Sequence, residues 1–223
     1  MRGETQVRLW LESSKKMGMA LGLLNTSKAV DALNIPSQAY TTVHVAGSNG
    51  KGTTCALLCT ALTNEGVPNL MFSSPHLIRV EERIRINGVP VRSDVFDQAL
   101  EKVRLATESR GISVTFFEIT FLASLIVASE ADVDVVVMET GLGGRLDATR
   151  VTKADIGVLT SLSLEHTDVL GNDLTQIAKE KAAIARAYCP LIVRMPKEKG
   201  IRTTIEETAL HAGISELGEA SGP

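Results

Sequence analysis

Residues 45–54 read Val-Ala-Gly-Ser-Asn-Gly-Lys-Gly-Thr-Thr. An apolar run, 41–46 (TTVHVA), leads into them. Residues 51–65 then read as a helix, with Leu58 and Leu62 four apart and Gly66 as its stop. A strand, a glycine-rich turn and a helix in that order aim backbone N–H groups and the positive end of a helix dipole at an anion. Lys51 adds a full charge for the β- and γ-phosphates of a nucleotide, and Thr53 or Thr54 a hydroxyl for magnesium. The stretch departs twice from the pattern G-x-x-x-x-G-K-[ST]: Val45 stands five residues before Gly50, and Gly52 separates Lys51 from the first threonine. The plainer alternative is a glycine-rich turn that merely joins a strand to a helix.

Outward from this loop, apolar strands alternate with amphipathic helices. Strands are expected at 70–73, 134–139 (DVVVME), 155–162 (DIGVLTSL) and 190–194. DVVVME is a continuous β-branched run, as in a strand covered on both faces. Asn87-Gly88 supplies the positive φ angles of a type I′ turn, so 83–91 reads as a hairpin. Ser93 is expected to cap a helix reaching about Ser109, with Phe96, Leu100 and Val103 on one face. Further helices are expected over 117–131, strongly apolar and buried, over 173–186 and over 202–211. The pattern predicts an α/β fold with a mostly parallel sheet flanked by helices, of the P-loop mononucleotide-binding kind. The small, polar tail 217–223 is expected to fray.

Composition narrows the function. The 223 residues suffice for one full domain, or one domain and a tail, and their 44% hydrophobic content supports a real core. A net charge of −3 argues against bulk nucleic-acid binding, which usually needs a basic face. The longest apolar stretch, 119–128, is shorter than the roughly 20 residues that span a bilayer. The three cysteines, Cys55, Cys59 and Cys189, form no paired framework, and no apolar signal core opens the chain. The chain is therefore expected in the cytoplasm, engaging neither nucleic acid nor membrane. Cys55 and Cys59, four apart on a helix, read as small core residues, and His44, inside a strand, as a core histidine.

Five ordered strings narrow it further: 44–54 (HVAGSNGKGTT), 73–77 (SSPHL) with Glu82-Arg83-Ile84, 139–147 (ETGLGGRLD), 165–171 (EHTDVLG) and Glu180-Lys181-Ala182. Together they resemble the N-terminal ATPase domain of the bifunctional dihydrofolate synthase / folylpolyglutamate synthase family, within the Mur-type ATP-dependent ligases. Residues 17–23 (MGMALGL) are similar to that family's lead-in helix and loop. The resemblance runs from about residue 8 to about residue 195. It implies a ligase that activates a carboxylate as an acyl phosphate with ATP and joins it to the amine of L-glutamate, the acceptor being dihydropteroate or a folate. Positioning, charge neutralisation and magnesium carry such chemistry, with no covalent enzyme nucleophile.

The resemblance also implies roles. Ser48, Asn49, Gly50, Lys51, Gly52 and Thr53 bind ATP, with Lys51 catalytic. Ser74, Glu139 and His166 bind magnesium, two ions in all. From the residues alone, Ser74 reads as a turn serine and His166 as a loop histidine, whereas Glu139, a carboxylate at the end of a parallel strand, suits a magnesium role, with pairing to Arg145 or Arg150 as the alternative. Lys181 matches a lysine that is carbamylated in relatives, although by itself it reads as a solvated surface lysine. The pterin or folate is expected against Ala20, Leu21 and Gly22, against Thr115, Phe116, Phe117 and Glu118, and against Leu146, Asp147 and Ala148. Phe116 or Phe117 stacks on the heterocycle or simply packs its helix, while Glu118 and Asp147 accept its N–H donors. Arg83 reads as a contact for an anion or as a solvated hairpin charge, and His76 is open between ligand and structural roles. The chain departs from the family at Ala20, where relatives often carry a polar residue, and at Ala183, where they usually carry glycine.

The family's ligases also carry a C-terminal domain that helps hold adenine and ribose and presents the glutamate site. Residues 1–199 are expected to form the ATP-binding domain and 200–223 to open the linker, the second domain lying outside the 223 residues. The alternative is an ATP- and magnesium-binding truncated or degenerate paralogue without independent ligase activity. The family's members are usually monomers.

Overall fold

The computed structural model describes residues 5–18, 22–35 and 40–220. Its strands are β1 (Thr41–Ala46), β2 (Asn69–Phe72), β3 (Ile84–Ile86), β4 (Val89–Pro90), β5 (Val135–Glu139), β6 (Ile156–Leu159), β7 (Leu191–Val193) and β8 (Leu217–Glu219). They form one sheet in the order β4-β3-β2-β5-β1-β6-β7-β8. The pairs from β2 through β8 are parallel, and only the β2–β3–β4 hairpin edge is antiparallel. Asn87 and Gly88 turn that hairpin with φ of 49° and 79°.

The helices are α1 (Gln6–Ser13), α2 (Leu24–Leu33), α3 (Lys51–Asn64), α4 (Ser93–Glu108), α5 (Phe116–Glu130), α6 (Thr167–Leu170), α7 (Leu174–Ala182) and α8 (Lys199–Ala212). Because side chains alternate along a strand, the sheet feeds two layers. Val43, Val45, Met71 and Val137 pack with Cys55 and Cys59 of α3 on one face. Leu70, Phe72, Val136 and Met138 pack against α4 and α5 on the other. Every residue of α5 from Glu118 through Ala128 is buried, which explains its apolar circumference. Among the described residues no helix is long and apolar enough to cross a membrane.

Several boundaries differ from expectation for local reasons. Ser93 is the first residue of α4 and Arg92 its N-cap; the Ser93 hydroxyl donates to Glu81 at 2.9 Å. The helix expected to reach residue 186 stops at Ala182. Arg150 reaches across to the carbonyls of Ala183 and Ala185 at 3.0 and 3.3 Å, satisfying acceptors that the ended helix leaves free. The strand expected to reach residue 162 ends at Leu159, because Thr160 and Ser161 turn their hydroxyls to the carbonyl of Asn49. The tail from residue 217 does not fray at its start: Leu217–Glu219 is β8, paired in parallel with β7. Where a linker is expected to open, the chain forms α8 and β8 instead. Ile201, Ile205 and Ala209 of α8 pack with Leu191 and Val193 of β7 in one apolar cluster, because α8 has an apolar stripe that needs cover.

Candidate active site

β1 lies between β5 and β6, so the chain leaves its carboxyl end at a switch in strand order, the place where open α/β sheets bind ligands. The loop that starts there is forced by close packing. Gly47 has φ of +144°, and a Cβ on it would stand 1.8 Å from Thr160 Oγ1. Gly50, at φ +84°, caps α3, whose free N–H groups then face the loop's mouth. Lys51 folds over the loop, donating to the carbonyls of Gly47 and Ser48 at 2.9 and 3.2 Å. Ser48 and Asn49, expected to touch nucleotide, also brace the loop from behind. Ser48 N–H donates to Ser161 O at 2.7 Å and its hydroxyl to Ser163 O at 3.0 Å. Asn49 Nδ2 donates to Ser163 Oγ at 3.0 Å. Nothing in the strings around 45–54 signalled these partners from residues 160–163.

Glu139 closes β5 beside this loop. Its carboxylate is buried and accepts the Ser74 N–H at 3.2 Å. Burial pushes its pKa up, while the N–H groups of Ser74 and Gly52 and the charges of Lys51 and Arg83 pull the other way. It does not pair with Arg145 or Arg150: Arg145 binds Glu180 at 2.9 Å, and Arg150 holds the carbonyls noted above. His166, at φ +47°, starts the short helix α6. Lys51, Ser74 and His166 reach the wall of one cavity. Among the described residues no three His, Cys, Asp or Glu side chains gather as a metal cluster.

Lys181 is far from a surface lysine. Only 1% of it is exposed; its Nζ lies 2.6 Å from Glu165 and donates to Gly47 O at 2.9 Å. Burial lowers its pKa, against the pull of Glu165. Two lysines thus converge on one carbonyl of the phosphate loop. Glu165, the first residue of the 165–171 string, is the partner that holds the Lys181 ammonium there.

The cavity, about 630 Å³, continues from Lys51, Ser74 and His166 to Thr115, Phe116, Phe117 and Glu118 and to the loop after β5, where Leu146, Asp147 and Ala148 line it. Ala20 and Leu21 lie outside the described residues. Gly22 is tied to this wall through its N–H and Leu146 O, at 3.4 Å. Phe117 packs on Phe72 with centroids 5.7 Å apart. Phe116 instead carries Arg83 at 4.9 Å and Lys15 at 5.0 Å from its ring centroid. Arg83 is buried, not a solvated hairpin charge; burial lowers its pKa to about 10, so it stays cationic. It donates to His76 Nδ1 at 3.0 Å, which gives His76 a structural partner.

Two expected acceptors turn out to be engaged. Glu118 closes a capping box at the start of α5, accepting the Thr115 N–H at 2.7 Å, and takes the Thr26 hydroxyl at 2.5 Å. The T-x-x-E spacing is a capping-box signature readable in the sequence. Asp147 accepts four donors. The N–H groups of Gly141 and Leu142 reach Oδ2 at 2.8 and 2.7 Å; the Thr149 N–H, at 3.0 Å, and the Thr149 hydroxyl reach Oδ1. Both carboxylates line the cavity and at the same time hold its wall through these bonds.

The sequence pattern of the Mur ligase middle domain spans residues 45–209. The chain belongs to that family. Among Mur ligase relatives it is 40% identical over 205 residues to a dihydrofolate synthase/folylpolyglutamate synthase of Escherichia coli (strain K12), covering 92% of this chain and 47% of that protein. It is 33% identical over 210 residues to a protein of the same description from Bacillus subtilis (strain 168), covering 92% and 49%. It matches the structure of E. coli FolC in complex with DHPP and ADP with a TM-score of 0.88 and 36% identity, over 98% of this chain and 54% of that one. A bifunctional folylpolyglutamate synthase/dihydrofolate synthase with Mn, AMPPNP and L-glutamate bound matches with a TM-score of 0.86 and 34% identity, over 96% and 52%. The chain spans about half the length of the curated relatives it matches.

Proposed function

We propose that this chain is the ATP- and pterin-binding part of a ligase that adds L-glutamate to dihydropteroate or a folate through an acyl phosphate. One observation carries the reading: a single cavity runs from Lys51, Ser74 and His166 to Phe116 and the 146–148 wall, so a phosphate and a flat acyl substrate meet in one space. Lys51 lies folded on the loop carbonyls and is placed to transfer its contacts to the β- and γ-phosphates. The substrate carboxylate attacks the γ-phosphorus, and ADP leaves. The amine of glutamate then attacks the acyl carbon, loses a proton, and phosphate departs.

Ser74, Glu139 and His166 would hold magnesium. The buried Glu139 carboxylate, beside Ser74, and the Ser74 hydroxyl are the oxygen donors that suit a hard cation, and His166 on the same cavity as Ser74 would add an imidazole. Two such ions, if bound, would supply charge neutralisation for the transferring phosphoryl group. Carbamylation of Lys181 requires its neutral amine to attack CO₂ with loss of a proton, and the lowered pKa of the buried Nζ favours that form. The product is an anion that would face the metal side of the phosphate loop. Adenine, ribose and glutamate contacts are assigned to a C-terminal domain, and the assembly is read as a cytoplasmic monomer.

Calorimetry with Mg-ATP and with 7,8-dihydropteroate, and amide formation with a separately supplied C-terminal half, test the proposal. Lys51→Ala is expected to weaken Mg-ATP binding by on the order of 100-fold with folding intact. Binding of Mg-ATP without any binding of dihydropteroate would leave a nucleotide-binding module and defeat the ligase reading.

A further inference from the structure

We infer that His44 is a positioning residue for the cavity: its Nε2–H holds the Thr149 hydroxyl so that this hydroxyl donates to Asp147, and Asp147 fixes the loop that walls the substrate space. The inference rests on the reading of that space as the acyl-substrate site.

His44 sits in β1, three residues before Gly47, and is 1% exposed. Its side chain faces away from α3, toward the 3₁₀ turn Ala148–Val151, where Nε2 lies 2.7 Å from Thr149 Oγ1. Its other nitrogen, Nδ1, is buried and finds no hydrogen-bond partner among the described residues. A hydroxyl has one proton. Thr149 directs that proton to Asp147 Oδ1, so the bond to His44 must run the other way, from Nε2–H into the Thr149 lone pair. The bare Nδ1 agrees with this tautomer, since a buried acceptor without a partner is tolerated more readily than a buried N–H without one. Burial and the nearby charges of Arg186 and Arg150 hold the ring neutral, its pKa lowered to about 3.

The chain of donors ends where it matters for the pocket. Asp147 Oδ2 gathers the N–H groups of Gly141 and Leu142, so one carboxylate closes the loop from the residue after Thr140 to the turn at Ala148. Gly141, Leu142, Leu146 and Ala148 of that loop line the cavity. One side chain on the strand that carries the phosphate loop thereby orders the wall on the substrate side.

The full chain with ¹⁵N-labelled histidine tests this directly. The wild-type protein is expected to show His44 protonated at Nε2 and bare at Nδ1; protonation at Nδ1 overturns the inference without any variant having to fold. In His44→Leu, amide exchange at Gly141 and Leu142 is expected to accelerate about tenfold, the factor corresponding to one net hydrogen bond. Affinity for 7,8-dihydropteroate should fall by about the same factor while Mg-ATP affinity stays within about twofold. His44→Gln, whose amide N–H can also donate to Thr149, should recover most of both, which loss of packing alone would not predict. A folded His44→Leu protein with unchanged exchange at Gly141 and Leu142 would overturn the assignment. Absence of dihydropteroate binding by the wild type would instead defeat the proposed function, leaving tautomer and exchange to decide His44.

Discussion

The loops after β1 and after β5 leave adjacent parallel strands side by side, yet they are held by opposite means. The loop after β1 is braced from outside: Thr160, Ser161 and Ser163, beyond the end of β6, take the backbone and side chains of Ser48 and Asn49. The loop after β5 is braced from inside, by the Asp147 carboxylate gathering its own N–H groups. The first arrangement keeps the brace on the side of the loop away from the cavity that Lys51 lines. The second spends a carboxylate's acceptor capacity on shape and leaves apolar groups, Leu142, Leu146 and Ala148, to face the cavity. The lesson is that two carboxylates eight residues apart, Glu139 and Asp147, differ in role through their partners. Glu139 takes the N–H groups of Ser74 and Gly52, from the loops around it, whereas Asp147 takes four donors from its own loop.

The largest effect that would break this contrast is expected from Gly47→Ala. The new Cβ meets Thr160 Oγ1 at 1.8 Å and must adopt φ of +144°, so urea unfolding should show a loss of at least about 3 kcal/mol. Adding Thr160→Gly should recover only part, because the backbone nitrogen of Thr160 remains 3.2 Å away. Asp147→Ala should cost about 2 kcal/mol by stranding the N–H groups of Gly141, Leu142 and Thr149. If the two loops are independently braced, Mg-ATP affinity of that variant stays close to wild type in calorimetry; a large loss there would merge the two regions into one.

The smallest effect serves as a control remote from both loops. Burial would raise the pKa of Glu81, but its backbone N–H, the Ser93 hydroxyl and Arg8, at 2.8 Å, outweigh burial and hold it down to about 2. The folded value lies below the ordinary 4.5, so the unfolded chain binds the proton first. This stabilisation is complete above about pH 4.5 and is lost as the pH falls through about 2. Arg8→Ala should flatten that limb of the acid-unfolding curve while leaving both loops unchanged.

Much of this was legible in sequence. Strand-turn-helix around Gly47–Thr53 emerged from apolar alternation and glycine placement, because those are local demands. The hairpin at Asn87-Gly88 and the burial of α5 followed from the same kind of signal. What was misread depended on partners far along the chain. The hydrogen bonds that Glu118 and Asp147 accept from the protein are not visible in sequence, where a carboxylate's type shows and its partners do not. The burial of Lys181 was hidden by its charged neighbours Lys179 and Glu180, and α8 with β8 by the small, polar residues around them.

The sequence by itself determined that the chain is an α/β domain with a glycine-rich turn between its first strand and the next helix, since backbone conformation and the hydrophobic period are short-range properties. Only the tertiary structure decided which donors each carboxylate accepts, which lysine is buried and which histidine braces a wall. Those properties arise when groups more than a hundred residues apart, such as His44 and Thr149 or Gly47 and Lys181, are brought within hydrogen-bonding distance in a place without water.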